Sequence, residues 1–259
     1  MSLRPKRALG QHWLVDENIL HVVGRLAELR PDDVVLEIGP GLGVLTTYLA
    51  DRVRLVHAIE VDRTLEDALR ERLAGRENVD LVLGDALTLL HASFEPPPGK
   101  LVANLPYNVA TPIVIESLAA QPTAELWCVM VQREVADRFF ATPATKDYGA
   151  VSVILQLAAE RTGFHAVART CFRPPPNVDS ALVAFRRTRA WDSELERVRN
   201  FAQAAFAHRR KTLANSLELA GFADRGRAAA ALAKLGRAHA VRAEELKPGE
   251  LLRLSELLA

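Results

Sequence analysis

Between residues 34 and 131 the chain alternates short apolar runs with stretches of helical periodicity. The runs are Val34-Val35-Leu36-Glu37-Ile38, Leu55-Val56-His57-Ala58-Ile59, Leu81-Val82-Leu83, Lys100-Leu101-Val102-Ala103 and Trp127-Cys128-Val129-Met130-Val131. Nearly continuous apolar runs of this length suit strands buried on both faces. Segments between them, such as Thr64 to Leu73, carry apolar residues at helical spacing. Repeated strand, helix, strand implies a parallel sheet covered by helices, which collects its ligands at the carboxyl ends of the strands.

Three consecutive prolines in Phe172-Arg173-Pro174-Pro175-Pro176-Asn177 break this pattern, because they cannot continue a helix or a central strand. Val178 to Arg187 reads as one last strand. From about Ser193 the pattern turns helical: Leu195, Val198, Phe201, Ala205 and Phe206 share a face, and Leu232, Leu235, Leu251, Leu254 and Leu258 mark two more helices. The expected division is residues 1–188 as a sheet domain and 189–259 as a helical one.

At 49% hydrophobic and 25% charged residues, the 259-residue chain has the composition of an ordinary globular protein. No apolar run approaches the roughly 18 to 20 residues of a membrane span. The basic start, Met1 to Arg7, leads into no apolar stretch, so it is not read as a secretory signal. The two cysteines, Cys128 and Cys171, lie far apart without histidines at metal spacing, so a reduced, cytoplasmic setting without a metal site is expected. The net charge of +1 hides an asymmetry. Residues 186–259 hold 15 Lys and Arg against 9 Asp and Glu, and the residues before them 18 against 23. A basic helical part on an acidic body suits a polyanion partner, or a solvated arginine-rich surface.

Glu37-Ile38-Gly39-Pro40-Gly41-Leu42-Gly43 sits where the first of these strands meets its helix. Gly39 and Gly41 let the backbone turn sharply and approach a ligand closely. The glycine spacing is not the dinucleotide fingerprint, so no pyrophosphate is implied. Glu60 ends the second run and suits the two hydroxyls of a ribose. Asp85 ends the third and suits an adenine amine, or simply caps a helix. Carboxylates in ribose and adenine positions beside a glycine turn point to S-adenosyl-L-methionine.

Asn104-Leu105-Pro106-Tyr107 ends the fourth run, on the same sheet edge. It is either an ordinary strand-ending turn or an amine clamp. The lone pair of adenine N6 is delocalised into the ring. Two acceptors on its N–H bonds, the Asn104 side-chain oxygen and the Leu105 carbonyl, would favour a pyramidal nitrogen. Pro106 keeps Leu105 extended, and Tyr107 can stack on the base. Following the glycine turn, Glu60 and Asp85, the clamp is the better reading, with in-line methyl transfer accelerated by positioning.

With Leu9-Gly10-Gln11-His12-Trp13-Leu14, Gln132 to Arg138, Tyr148 to Val153, Phe172 to Ser180 and Arg209-Arg210-Lys211-Thr212-Leu213 added, the chain resembles the small-subunit (16S) rRNA adenine N6,N6-dimethyltransferases over nearly its whole length. The resemblance implies an α/β fold, a Rossmann-like S-adenosylmethionine methyltransferase sheet domain followed by a smaller all-helical domain. It implies that His12, Leu14, Gly39, Glu60, Asp85 and Asn104 line the cofactor. Phe172 is implied as a second aromatic wall opposite Tyr107, and Trp13, where the family usually has Phe, as part of a lid. Two adjacent adenosines near the 3′ end of small-subunit rRNA, in an immature 30S-type particle, are the implied substrate of an enzyme of ribosome biogenesis; a monomer is the default expectation.

Arg209, Arg210 and Lys211 read as phosphate contacts or as a solvated helix face. Arg133 is a further RNA candidate, or pairs with Glu134 or Asp137. The target base must leave its stack to reach the tetrad, or lie in an exposed loop. The alternatives are a large-subunit rRNA adenine methyltransferase of the antibiotic-resistance type and a non-catalytic nucleic-acid-binding factor on the same fold. The basic run at 209–211 favours the small-subunit branch, and the intact tetrad disfavours the pure binder.

Overall fold

The structure, a computed structural model, describes residues 11–259. Met1 to Gly10, including the basic start and the Leu9-Gly10 end of the first motif, lie outside the described residues. The described residues form two compact units: residues 11–136 with 161–187, and residues 137–160 with 188–259.

All five apolar runs are strands. They are β2 (Val34–Ile38), β3 (Leu55–Glu60), β4 (Val79–Leu83), β5 (Lys100–Asn104) and β6 (Leu126–Gln132), after a two-residue β1 (Trp13–Leu14). With β7 (Ala159–Val167) and β9 (Ser180–Arg187) they build one seven-stranded sheet ordered β4-β3-β2-β5-β6-β9-β7. The pairs β2–β3, β3–β4, β2–β5 and β5–β6 are parallel, and β9 runs antiparallel to β6. β1 pairs separately with β8 (Phe172–Arg173).

Every residue of β2 is buried, glutamate included, as expected of a strand covered on both faces. The covering helices of the first unit are α1 (Glu17–Leu26), α2 (Val44–Ala50), α3 (Glu66–Arg72), α4 (Ala86–Leu89) and α5 (Ala110–Ala120). α1 starts on Asp16, whose carboxylate accepts from Asn18 N, and buries Ile19, Leu20 and Val23 on one face. Under α5, Trp127 stacks on Phe185 at 5.5 Å and its indole N–H meets Ser117 Oγ at 2.9 Å. Arg187 lies over the same indole and donates to the carbonyls of Leu118, Gln121 and Ala124, occupying acceptors around the end of α5. Each fully buried side chain of this size contributes about 1.5–3 kcal/mol.

β2 lies between β3 and β5, so the strand order reverses there, and a sheet of this kind opens a crevice at its carboxyl edge at that point. The glycine turn leaves β2 and the tetrad leaves β5, placing both at the crevice.

The second unit is helical, with α7 (Ala150–Ala158), α8 (Ser193–Phe206), α9 (Leu213–Leu219), α10 (Arg225–Lys234) and α11 (Pro248–Leu257); α6 (Arg133–Phe139) begins in the first unit and ends in the second. Leu195, Val198, Phe201, Leu232, Leu251 and Leu254 are wholly buried. A single cut at 188/189 therefore misses two crossings, at 136/137 and at 160/161. Residues 137–160 join the helices because Tyr148 and Val153 sit in the helical core, and Tyr148 Oη donates to Leu246 O at 2.9 Å. β7 also goes unforeseen. It is one of the sheet's two edge strands, largely exposed and interrupted by Gly163, so it lacks the buried run that marks the central strands.

Candidate active site

At the carboxyl edge of β2 a cavity of about 250 Å³ is lined by the glycine turn, the ends of β3 and β4, the tetrad and the segment around β1. Gly39, Gly41 and Gly43 all have positive φ, at 74°, 59° and 75°. The turn is anchored from both sides, with Gly39 N donating to Ile59 O (2.9 Å) and Gly41 N to Glu60 Oε2 (3.0 Å). A Cβ on Gly41 would come within 3.2 Å of Trp13 Cδ1, so the indole rests on the bare turn. Trp13 also packs beside Leu65, Leu69 and Leu73, which gives the wide ring its room.

Glu60 closes β3. Its Oε1 accepts from Asp62 N at 2.9 Å while Oε2 holds Gly41. Burial raises its pKa, and these backbone hydrogen bonds oppose the rise. Asp85 lines the cavity and caps α4 at once, because its carboxylate accepts from Leu87 N at 2.9 Å. The capping role and the ligand-facing position are therefore compatible.

The tetrad abuts the turn: Pro106 Cδ lies 3.5 Å from where a Gly39 Cβ would be. Asn104 Nδ2 donates to the His12 carbonyl at 3.1 Å, which fixes the amide and leaves Oδ1 as its acceptor. Leu105 is buried and its N–H donates to Met130 O, while its carbonyl accepts no hydrogen bond from the described residues. Tyr107 Oη shares a 2.6 Å hydrogen bond with Ser180 Oγ, and burial raises its pKa. The tetrad thus presents an amide oxygen, an unengaged carbonyl and an anchored aromatic ring along one wall.

Leu14, in β1, and His12, just before it, line the cavity. His12 stacks on Tyr107, centroids 5.4 Å apart and planes 24° off parallel, and its Nδ1–H donates to Pro174 O at 2.8 Å. Phe172 pairs with Leu14 across β1 and β8, is only 2% exposed, and belongs to the core cluster that contains Leu14. It does not line the cavity, so the expected second wall is corrected: burying the phenyl in the apolar core takes precedence, and the ring facing Tyr107 is His12.

Glu37, within the β2 run, is a further, unforeseen member of the site. It lies in the cavity wall, 1% exposed, and its Oε2 has no hydrogen-bond partner among the described residues. Burial pushes its pKa up to about 8, with the Glu60 carboxylate adding to the rise and the Thr46 side chain opposing it. A charged residue inside a buried strand run was the available signal. Gln11, whose Nε2 donates to Asp62 Oδ2 at 2.8 Å, and Ser180 were also missed.

Arg133 is exposed, and its guanidinium lies 4.9 Å from the centroid of the Phe164 ring. Arg209 departs from the phosphate-contact reading. Its Nη2 donates to Lys146 O (2.8 Å) and Tyr148 O (3.1 Å) and approaches Glu244 Oε2 at 3.4 Å, so the guanidinium ties the helical unit together. Arg210 and Lys211 are exposed, with no side-chain partner among the described residues. No three His, Cys, Asp or Glu side chains are placed to hold a metal, and no helix is long and apolar enough to cross a membrane, among the described residues.

A sheet of this order, with a glycine turn, strand-end carboxylates and an Asn-Leu-Pro-Tyr wall around one crevice, defines a Rossmann-like methyltransferase with an added helical region. The chain belongs to the ribosomal RNA adenine dimethylase family, whose sequence profile matches residues 3–259. It is 45% identical over 251 residues to the ribosomal RNA small subunit methyltransferase A of Rubrobacter xylanophilus, covering 97% of this chain and 94% of that one. It is 42% identical to the protein of the same name from Moorella thermoacetica, covering 99% and 93%. Among solved structures, a 23S rRNA methyltransferase matches with a TM-score of 0.66 and 34% identity, covering 95% of this chain and 99% of that one. A dimethyladenosine transferase from Plasmodium falciparum, at TM-score 0.74 and 23% identity, covering 94% and 96%, shares the fold.

Proposed function

We propose that the protein dimethylates the N6 amines of two adjacent adenosines near the 3′ end of small-subunit rRNA, in an immature 30S-type particle, with S-adenosyl-L-methionine as donor. The donor set fits that cofactor. Glu37 supplies a buried carboxyl oxygen without a partner among the described residues, suited to an ammonium group. Glu60 and Asp85 supply acceptors for ribose hydroxyls and an adenine amine, and Gly39, Gly41, His12 and Leu14 supply the close-packed wall. When bound, the cofactor supplies an electrophilic methyl on its sulfonium.

The observation that carries the reading is the pair of acceptors at the head of the tetrad. Asn104 Oδ1 and the Leu105 carbonyl have no competing donors among the described residues, and both belong to a segment anchored through Met130 and His12. Two acceptors on the N6 hydrogens draw its lone pair out of conjugation and aim it. Tyr107, held through its hydroxyl by Ser180, carries the base, and the His12 imidazole stacks on the same phenol ring. No group with a tuned pKa is needed at N6, since the ammonium product loses its proton readily. After the first transfer one N–H remains, so stacking on Tyr107 must carry more of the positioning in the second.

The higher identity to small-subunit methyltransferases, across nearly the whole chain, supports the small subunit over the large. The intact acceptors disfavour a purely binding role. A monomer acting in the cytoplasm is the simplest form of the reading. Asn104→Ala tests it: cofactor affinity stays within a few-fold while methyl transfer from labelled S-adenosylmethionine to immature small subunits is lost. Undiminished transfer by the variant would refute the clamp.

A further inference from the structure

We propose that the edge of the sheet domain formed by Arg161, Phe164 and Arg169, with Arg133, is a second RNA-binding surface, holding the single strand that flanks the target adenosine. The inference rests on the rRNA reading above and adds to it a surface on the catalytic unit itself.

Charge is the first observation. Residues 1–136 hold 13 Lys and Arg against 19 Asp and Glu, whereas residues 161–187 hold five arginines and one carboxylate, Asp179. Two of the five are structural: Arg186 pairs with Glu28, and Arg187 holds the carbonyls near the end of α5. The other three, Arg161, Arg169 and Arg173, are exposed, and no carboxylate pairs with any of them among the described residues.

The second observation is Phe164, a large apolar ring 36% exposed on an edge strand. Two guanidinium carbons lie near its centroid, Arg133 at 4.9 Å and Arg161 at 6.0 Å. An exposed aromatic set among arginines is the arrangement that binds single-stranded nucleic acid: the ring stacks with a base and the cations meet the neighbouring phosphates.

The third is continuity with the tetrad. Arg133 N donates to Asp179 O at 2.9 Å, and Arg169 N to the Asp179 carboxylate at 3.0 Å. The next residue, Ser180, pairs with Gln132 and holds Tyr107 through its hydroxyl. The chain of contacts Tyr107, Ser180, Gln132–Arg133, Phe164 leads directly from the stacking ring to the proposed surface. An RNA strand is favoured over an acidic protein because an exposed phenyl ring between guanidiniums matches alternating bases and phosphates.

The test uses the full-length protein and two probes: a stem-loop with the 3′-terminal small-subunit sequence, and an unrelated single-stranded oligoribonucleotide. Phe164→Ala should weaken binding of both by about five- to a hundred-fold with the salt slope unchanged, and Phe164→Tyr should restore it. Arg161→Ala with Arg169→Ala should weaken both and flatten the dependence of log affinity on log salt by about 1.4, at about 0.7 for each single-strand phosphate contact. Unaltered S-adenosylhomocysteine affinity and melting temperature show that the variants are folded; if Phe164→Ala is not, the arginine pair decides alone. Wild-type affinity and slope in the folded variants would overturn the surface. Methylation found on a different RNA, with the variants still weakened, would overturn the small-subunit reading and leave the surface standing.

Discussion

Glu37→Gln should make the protein less sensitive to alkali. The carboxyl is wholly buried in β2, and its pKa is pushed from 4.5 up to about 8. Between those values the folded chain keeps a proton that the unfolded chain has lost. Folded stability therefore falls as pH rises from about 4.5, and the loss is complete above about 8. Each unit of difference is worth about 1.4 kcal/mol, so between about pH 5.5 and pH 8 this single group removes on the order of 3 kcal/mol. Glutamine occupies the same space and does not titrate. Urea unfolding of both proteins at both pH values, followed by tryptophan fluorescence, gives the double difference directly, so any constant cost of the amide cancels. The variant should gain roughly 3 kcal/mol on the wild type between the lower and the higher pH. Saturating S-adenosylhomocysteine, whose ammonium would favour the ionised carboxylate, should shrink that gap. Parallel stability profiles would refute the argument, because they would mean that Glu37 is ionised in its buried site.

Gly41→Ala places a side chain at φ 59° and a Cβ 3.2 Å from Trp13. It should cost about 1–2 kcal/mol of stability and weaken S-adenosylhomocysteine binding by calorimetry, whereas unchanged affinity would mean that the turn does not touch the cofactor. Arg209→Ala removes a half-exposed guanidinium from two backbone carbonyls. A loss of about 1 kcal/mol, or about 2–4 °C in melting, is expected with little change in RNA affinity. Arg210→Ala with Lys211→Ala should do the reverse, leaving melting unchanged while lowering RNA affinity and the salt slope; an unchanged slope would return both to a solvated helix face. Tyr107→Phe keeps the ring and loses only the bond to Ser180, so kcat/KM should fall far less than in Tyr107→Ala; equal losses would remove stacking from the account.

Much of the sheet was legible because β2, β3, β5 and β6 are buried along most or all of their length and write that burial into nearly continuous apolar runs. The tetrad was legible because four residue types with one joint chemistry fall together at a strand end. What was lost depends on neighbours distant in sequence. β7 is recognisable mainly by its pairing beside β9, and residues 137–160 by what Tyr148 and Val153 bury. Phe172 and Arg209 carry the right chemistry for their expected roles. Each is diverted by a partner far along the chain, Phe172 by Leu14 and the core around it, Arg209 by the carbonyls of Lys146 and Tyr148. The raised pKa of Glu37 follows from complete burial, which composition does not encode.

The central claim is chemical and positional, and mass spectrometry of rRNA answers it on both counts. Immature small subunits incubated with the protein and S-adenosylmethionine, then digested, should yield N6,N6-dimethyladenosine at two adjacent positions near the 3′ end, and Asn104→Ala should yield none. Methyl groups on large-subunit rRNA, or on an atom other than adenine N6, would contradict the account.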